Sequence, residues 1–311
     1  MIDINEINRL IKTSGTNNTP LQIDALFIEQ SKKLQKNIRQ ENDLHELRSC
    51  SKLLVALAVG IAIDKKIIIN GAPITLNTEV FPVIKDIIHI KNTPNLKKIK
   101  KWTIKDLLIH STGYAEQMFS ERYISDIQPD KLLDFALNYE MPYEVGTRYA
   151  YNNVEPFVLA CFLQEVLQMK FVDFVNETIF IKLGIKEYKW QHYGQYCAGA
   201  TGLYLKPSDF FKIGKLLLDG GTYNHQQIVS KNWIQEMCKP QVATPDLYKS
   251  ERVLPKINGG YFTFISRDDY VFRDGSNGQY LIINPDKKLL IAIMSSEENM
   301  KLVLEPFRSF L

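Results

Sequence analysis

The sequence predicts an α/β fold: an antiparallel sheet built from both chain ends and flanked by helices, plus an all-α insertion domain. Three observations carry this expectation. Apolar and polar residues alternate near the amino end, as half-buried strands require, and strand-like stretches resume near the carboxyl end. The long stretch between them shows helical spacing with turn punctuation and no convincing β alternation. No internal repeat, low-complexity tract or Pro-rich linker divides the chain, so the helical stretch reads as an insertion within one sheet domain.

Residues 21–29 (LQIDALFIE) and 33–39 read as the first two strands. Residues 49–63 (SCSKLLVALAVGIAI) follow, apolar on nearly every face after the first turn, as in a fully buried helix. Helical segments are expected at 105–110, 130–138 and 154–166. Strands resume at 260–266, 270–273, 279–284 and 289–294, the last two joined by Asn284-Pro285-Asp286-Lys287, where Pro sets φ for a type I turn. The expected division is 1–64 plus 190–311 as the sheet domain and 65–189 as the helical domain, with an active site in the cleft where they meet. The basic run 91–101 (KNTPNLKKIKK) has no interleaved aromatics and reads as a solvated surface loop.

A chain of 311 residues, 45% hydrophobic and 23% charged, matches globular usage and excludes disordered, collagenous and coiled-coil readings. Lys plus Arg of 38 against Asp plus Glu of 35 leaves +3, too near neutrality to imply a nucleic-acid partner. Cys50, Cys161, Cys197 and Cys238 form no C-x-x-C pair, so neither a zinc knuckle nor a disulfide framework is expected. The amino terminus lacks the cationic and apolar segments of a signal peptide. The longest apolar run, 53–63, falls short of the about 20 residues that span a bilayer. The expectation is a soluble, reduced, cytoplasmic protein with no membrane partner.

Three elements could carry chemistry. Ser49 and Lys52 form an S-x-x-K pair, which a helix places on one face. A serine at the helix start lies near the positive end of the dipole, and an amine held in an apolar helix is biased toward its neutral form and can take the hydroxyl proton. The competing reading makes Ser49 an N-cap and lets Lys52 snorkel to water. Against it, Lys52 is the only charge in an otherwise apolar run. Tyr151-Asn152-Asn153 offers a phenol that could relay protons beside a lysine, and in Asn153 an amide for a substrate carbonyl; the alternative is a loop with Asn153 capping the next helix. Arg273-Asp274-Gly275-Ser276-Asn277-Gly278 could let a substrate lie against a strand and present a backbone N–H to an oxyanion, or be a glycine-rich turn.

In this order and layout, the sequence resembles the serine β-lactamase and penicillin-binding protein superfamily, in its class C-like esterase, amidase and D-aminopeptidase branch, for which S-x-x-K is a signature. Further stretches similar to that branch are LRSCSKLLVALAVGIAID, TIKDLLIHSTGY, GTRYAYNN, GLYLKPSDFFKIG and GQYLIINP, so the resemblance covers nearly the whole chain. It implies Ser49 as acylated nucleophile, Lys52 as its base partner, Tyr151 as second proton carrier and Asn153 as a substrate-amide contact. It also implies an oxyanion hole from the backbone N–H groups of Ser49 and Ser276, and a structural role for His110. The departure is Arg273, where the family usually has Lys or His two residues before the glycine. Period-2 alternation puts Arg273 and Gly275 on one face, so Arg273 could bind a substrate carboxylate but not shuttle protons. The reading is a serine hydrolase that cleaves a small ester, amide or peptide through an acyl-enzyme, with no metal or organic cofactor. The alternatives are an acyltransferase or thioesterase, and an inactive relative that binds a ligand.

Overall fold

The computed structural model describes residues 2–15, 19–39, 42–119, 124–249 and 252–311. The chain divides into two compact units, Met1–Cys50 with Lys182–Lys189 and Leu203–Leu311, and Ser51–Ile181 with Trp190–Gly202. The sequence places the first boundary at residue 64, whereas here it falls at Cys50. The cause is packing, because the apolar helix Lys52–Asp64 lies against the helix Val154–Leu167.

The first unit is built on an eight-stranded antiparallel sheet. Its spatial order is Val242–Ala243, Asn258–Gly259, Phe264–Ile265, Val271–Gly275, Gln279–Asn284, Leu289–Ser295, Ile23–Gln30 and Lys33–Ile38. Strands from the two chain ends join where Ile28 faces Ile291. Gln279–Asn284 and Leu289–Ser295 are buried at every position, so both their faces are covered and their apolar residues run on without alternation. The helix Pro207–Leu218 packs on these two strands. Gly214 allows the close approach, since a Cβ there would stand 2.4 Å from Leu290 Cδ1 and 2.8 Å from Leu281 Cδ1.

Three local expectations differ. Residues 260–266 hold only Phe264–Ile265 as strand, preceded by Asn258–Gly259. The 284–289 hairpin forms, but its tight turn starts at Pro285, with Lys288 N bonded to Pro285 O at 3.1 Å, one residue later than expected. Residues 91–101 contain a short helix, Thr93–Ile99, opened by the Asn92 side chain accepting from Asn95 N. The sequence reading also missed the amino-terminal helix Ile4–Thr13, which buries Ile7 and Ile11.

In the second unit, Val154–Leu167 is the hub, buried throughout its first ten residues and in contact with Phe81–Ile84, Ile104–Leu108 and Leu132–Asn138. No helix among the described residues is long and apolar enough to cross a membrane. None of the four cysteines is in a disulfide.

Candidate active site

Ser49 lies in a 3-10 turn, Arg48–Ser51, that runs directly into the helix beginning at Lys52. Within the first unit the backbone here is held firmly. Leu47 N donates to Leu203 O at 2.7 Å, and Cys50 N to Leu47 O at 3.0 Å. Arg48 takes φ of +50°, a conformation costing a non-glycine residue on the order of 1–3 kcal/mol, and its side chain pairs with Glu46 at 2.9 Å. Ser49 itself is half-buried.

The strand Val271–Gly275 lies against this turn. Cys50 Sγ is 3.5 Å from Arg273 O, and a Cβ on Gly275 would come within 2.8 Å of Leu47 O. Gly275 is therefore a glycine of close approach. Arg273 shares that face, as alternation requires, but it is not open to a substrate. It is 1% exposed, donates Nε to Ser49 O at 3.0 Å and lies 5.0 Å from the Phe264 ring centroid. The strand alternation was legible, but the segment 47–50 that covers the face was not. In place of an expected substrate contact, Arg273 fastens the backbone of Ser49. Ser276 is exposed at the start of a 3-10 turn, Ser276–Gly278, in which Asn277 takes φ of +61°.

One residue along, on the opposite face, Asp274 meets Lys256 Nζ at 2.7 Å, both buried. Burial alone would raise the Asp274 carboxyl, but Lys256 and then Arg273 outweigh it and hold the group below the usual carboxylate range.

In the second unit Lys52 is fully buried, which excludes the snorkelling alternative. Its Nζ donates to Asn153 Oδ1 at 2.6 Å and Ala200 O at 3.1 Å, and stands 4.9 Å from the Tyr151 ring centroid. Asn153 Oδ1 and Ala200 O are neutral acceptors, and the face of the Tyr151 ring adjoins the same amine. Asn153, expected to contact substrate, is 8% exposed, and its amide is committed to Lys52 and, through Nδ2 at 3.1 Å, to Phe119 O. It precedes the helix Val154–Leu167 without a side-chain cap bond.

Sequence reasoning passed over Asn152. It is fully buried, and its Oδ1 accepts from Met118 N at 3.1 Å, Asn153 N at 2.8 Å and Val154 N at 3.2 Å while Nδ2 donates to Glu116 O. It fixes both neighbours of the Tyr151 loop. His110 and Ser111 hold the same loop from the other side. His110 O accepts from Ala150 N at 2.9 Å, Ser111 O from Gly146 N at 2.8 Å, and Ser111 Oγ donates to Arg148 O at 3.1 Å. The structural role expected of His110 thus has a backbone component. Its ring adds another, because it lies 5.1 Å from the Tyr151 ring and its Nδ1 is 3.2 Å from Glu155 Oε2.

These groups supply a serine on a fixed turn, a buried amine and a phenol in contact with that amine, the residue types of general acid–base and nucleophilic catalysis. Among the described residues no group of His, Cys, Asp and Glu is arranged to hold a metal ion.

Residues 31–303 match the family model described as Beta-lactamase. A search of curated proteins found no match. Similar solved structures include a putative 6-aminohexanoate-dimer hydrolase from Bacillus anthracis, 18% identical with a TM-score of 0.74, covering 93% of this chain and 77% of that one. A putative beta-lactamase from Bacteroides dorei is 13% identical with a TM-score of 0.77 over 99% of both chains. EstCE1, a hydrolase with promiscuous acyltransferase activity, is 12% identical with a TM-score of 0.71 over 98% of this chain and 96% of that one.

Proposed function

Since the chain belongs to the Beta-lactamase family, and so to the β-lactamase-like hydrolases, we propose that it is a serine hydrolase that cleaves a small ester or amide through an acyl-enzyme on Ser49. Ser49 Oγ attacks the carbonyl carbon and its proton passes to the Lys52 and Tyr151 pair, which delivers it to the leaving alcohol or amine. The same pair then activates the water that releases the acid. Backbone N–H groups of Ser49 and Ser276 serve the oxyanion. The observation that carries this reading is Lys52, an amine with no exposed surface, held at 2.6 Å by Asn153 and set against Tyr151, three residues after the serine. Burying an ammonium is unfavourable, and a fold that needed only packing would place an apolar residue there.

The test is intact-mass spectrometry after treatment with a fluorophosphonate, followed by peptide mapping. A single adduct on Ser49 is expected. Lys52→Ala and Tyr151→Phe should each lower kcat on a p-nitrophenyl ester by at least about 100-fold. An adduct on Ser51, Ser111 or Ser276, or turnover near wild type in either variant, refutes the assignment.

A second reading gives the acyl group to an amine or alcohol instead of water, which the similarity to EstCE1 favours. Product analysis with and without an added alcohol separates the two.

A further inference from the structure

Glu155 is a carboxylate with no exposed surface in the first turn of the apolar helix Val154–Leu167, and the reaction described above does not use it. Its two oxygens are separately engaged. Oε1 accepts from Thr112 Oγ1 at 2.6 Å, and Oε2 faces His110 Nδ1 at 3.2 Å. His110 is 2% exposed, and the same Nδ1 is 3.4 Å from Asn152 N, the peptide that follows Tyr151. One ring nitrogen thus faces two partners with opposite needs. Protonated, it donates to Glu155; deprotonated, it accepts from Asn152 N–H. A carboxylate at this distance favours the protonated form.

We propose that Glu155 is a positioning residue that acts through His110, holding an imidazolium beside the Tyr151 ring and so favouring the phenolate that accepts the Ser49 proton. The proposal rests on the acyl-enzyme reading and names a third contributor to its proton relay. Tyr151 is faced by Lys52 from the helix Lys52–Asp64, with Nζ 4.9 Å from the ring centroid, and by His110, 5.1 Å ring to ring. Tyr149, on the loop of Tyr151, meets the His110 ring edge-on at 5.8 Å. Lys52 and His110 therefore act on Tyr151 together, and Glu155 keeps the second of them charged.

The experiment is the pH dependence of kcat/KM on p-nitrophenyl butyrate for wild type, Glu155→Gln, His110→Asn, the double variant and Tyr151→Phe. An opposite charge within about 4–6 Å lowers a pKa by about 1–3 units, so its loss should move the acid limb upward by about one unit or more. Near neutral pH the rate of Glu155→Gln should fall roughly 10-fold, and it should return toward wild type at alkaline pH. His110→Asn should move the limb equally, and the double variant no further. Where Glu155→Gln does not fold, His110→Asn carries the test alone. A loss of rate that is uniform across pH, with the limb unmoved while Tyr151→Phe is inactive, overturns this proposal and leaves the acyl-enzyme reading standing. A Tyr151→Phe variant that keeps its turnover overturns both.

Discussion

Replacing Arg273 by alanine separates two uses of a cation at the third motif. In the structure the guanidinium is buried, bonded through Nε to Ser49 O at 3.0 Å and set over Phe264 at 5.0 Å. A hydrogen bond from a charged group contributes about 1.5–3 kcal/mol, and a cation over an aromatic ring about 0.5–2 kcal/mol. Arg273→Ala should thus destabilise the sheet unit by about 2–5 kcal/mol. At about 2–4 °C per kcal/mol for a unit of this size, the melting temperature should fall by roughly 5–20 °C. Loosening the Ser49 carbonyl also lets the proposed nucleophile drift, and a displacement near 1 Å can cost about 100-fold in rate. That loss should be the same for neutral esters and for esters carrying a carboxylate, because the side chain reaches the protein backbone. Arg273→Lys should recover part of the stability, since it keeps the charge but not the planar Nε donor. The assays are differential scanning fluorimetry and steady-state kinetics on the paired substrates. An unchanged melting temperature, with rate lost only on carboxylate substrates, would refute the reasoning and return Arg273 to substrate recognition.

Two further outcomes are expected. Asn152→Ala leaves three buried N–H donors without their acceptor, at about 1–3 kcal/mol for each such group, so it should lower the urea midpoint far more than Asn152→Asp, which keeps an acceptor oxygen. For Asp274 the folded pKa is depressed, so its contribution to stability is fully present above about pH 4 and is lost as pH falls through the folded value. Asp274→Asn should flatten that acid limb in pH-dependent unfolding and, by leaving Lys256 buried without its carboxylate, cost about 3–5 kcal/mol at pH 7; an acid limb unchanged from wild type would show that the pair does not set it.

The sheet was legible in the sequence because its signals are local, alternation at 21–29 and short apolar runs bounded by turn residues near the carboxyl end. Residues 21–29, 279–284 and 289–294 each map onto a strand whose bounds differ by at most two residues. The two-residue strands Val242–Ala243 and Asn258–Gly259 were not, because two residues cannot show a period. In the site, Lys52 stood out as a charge in an apolar run. The same reasoning applied to V-E-P-F-V-L-A-C-F would have flagged Glu155, which is as deeply buried. Asn152 gave no such signal, since an asparagine in a loop is ordinary until its three donors are in view. The environment of Arg273 depends on a segment more than two hundred residues earlier in the chain, which no spacing rule reaches.

The tight seat of Gly275 bears on how this scaffold can change. A methyl group there would meet Leu47 O at 2.8 Å and Arg48 Cβ at 2.9 Å, on the turn whose backbone is already wound into the left-handed region. Saturation mutagenesis at 275 should return glycine almost alone, whereas the exposed neighbour Ser276 should accept many side chains. Variation is therefore open beside the turn that carries Ser49 and closed against it, and a side chain could enter 275 only after residue 48 had given way.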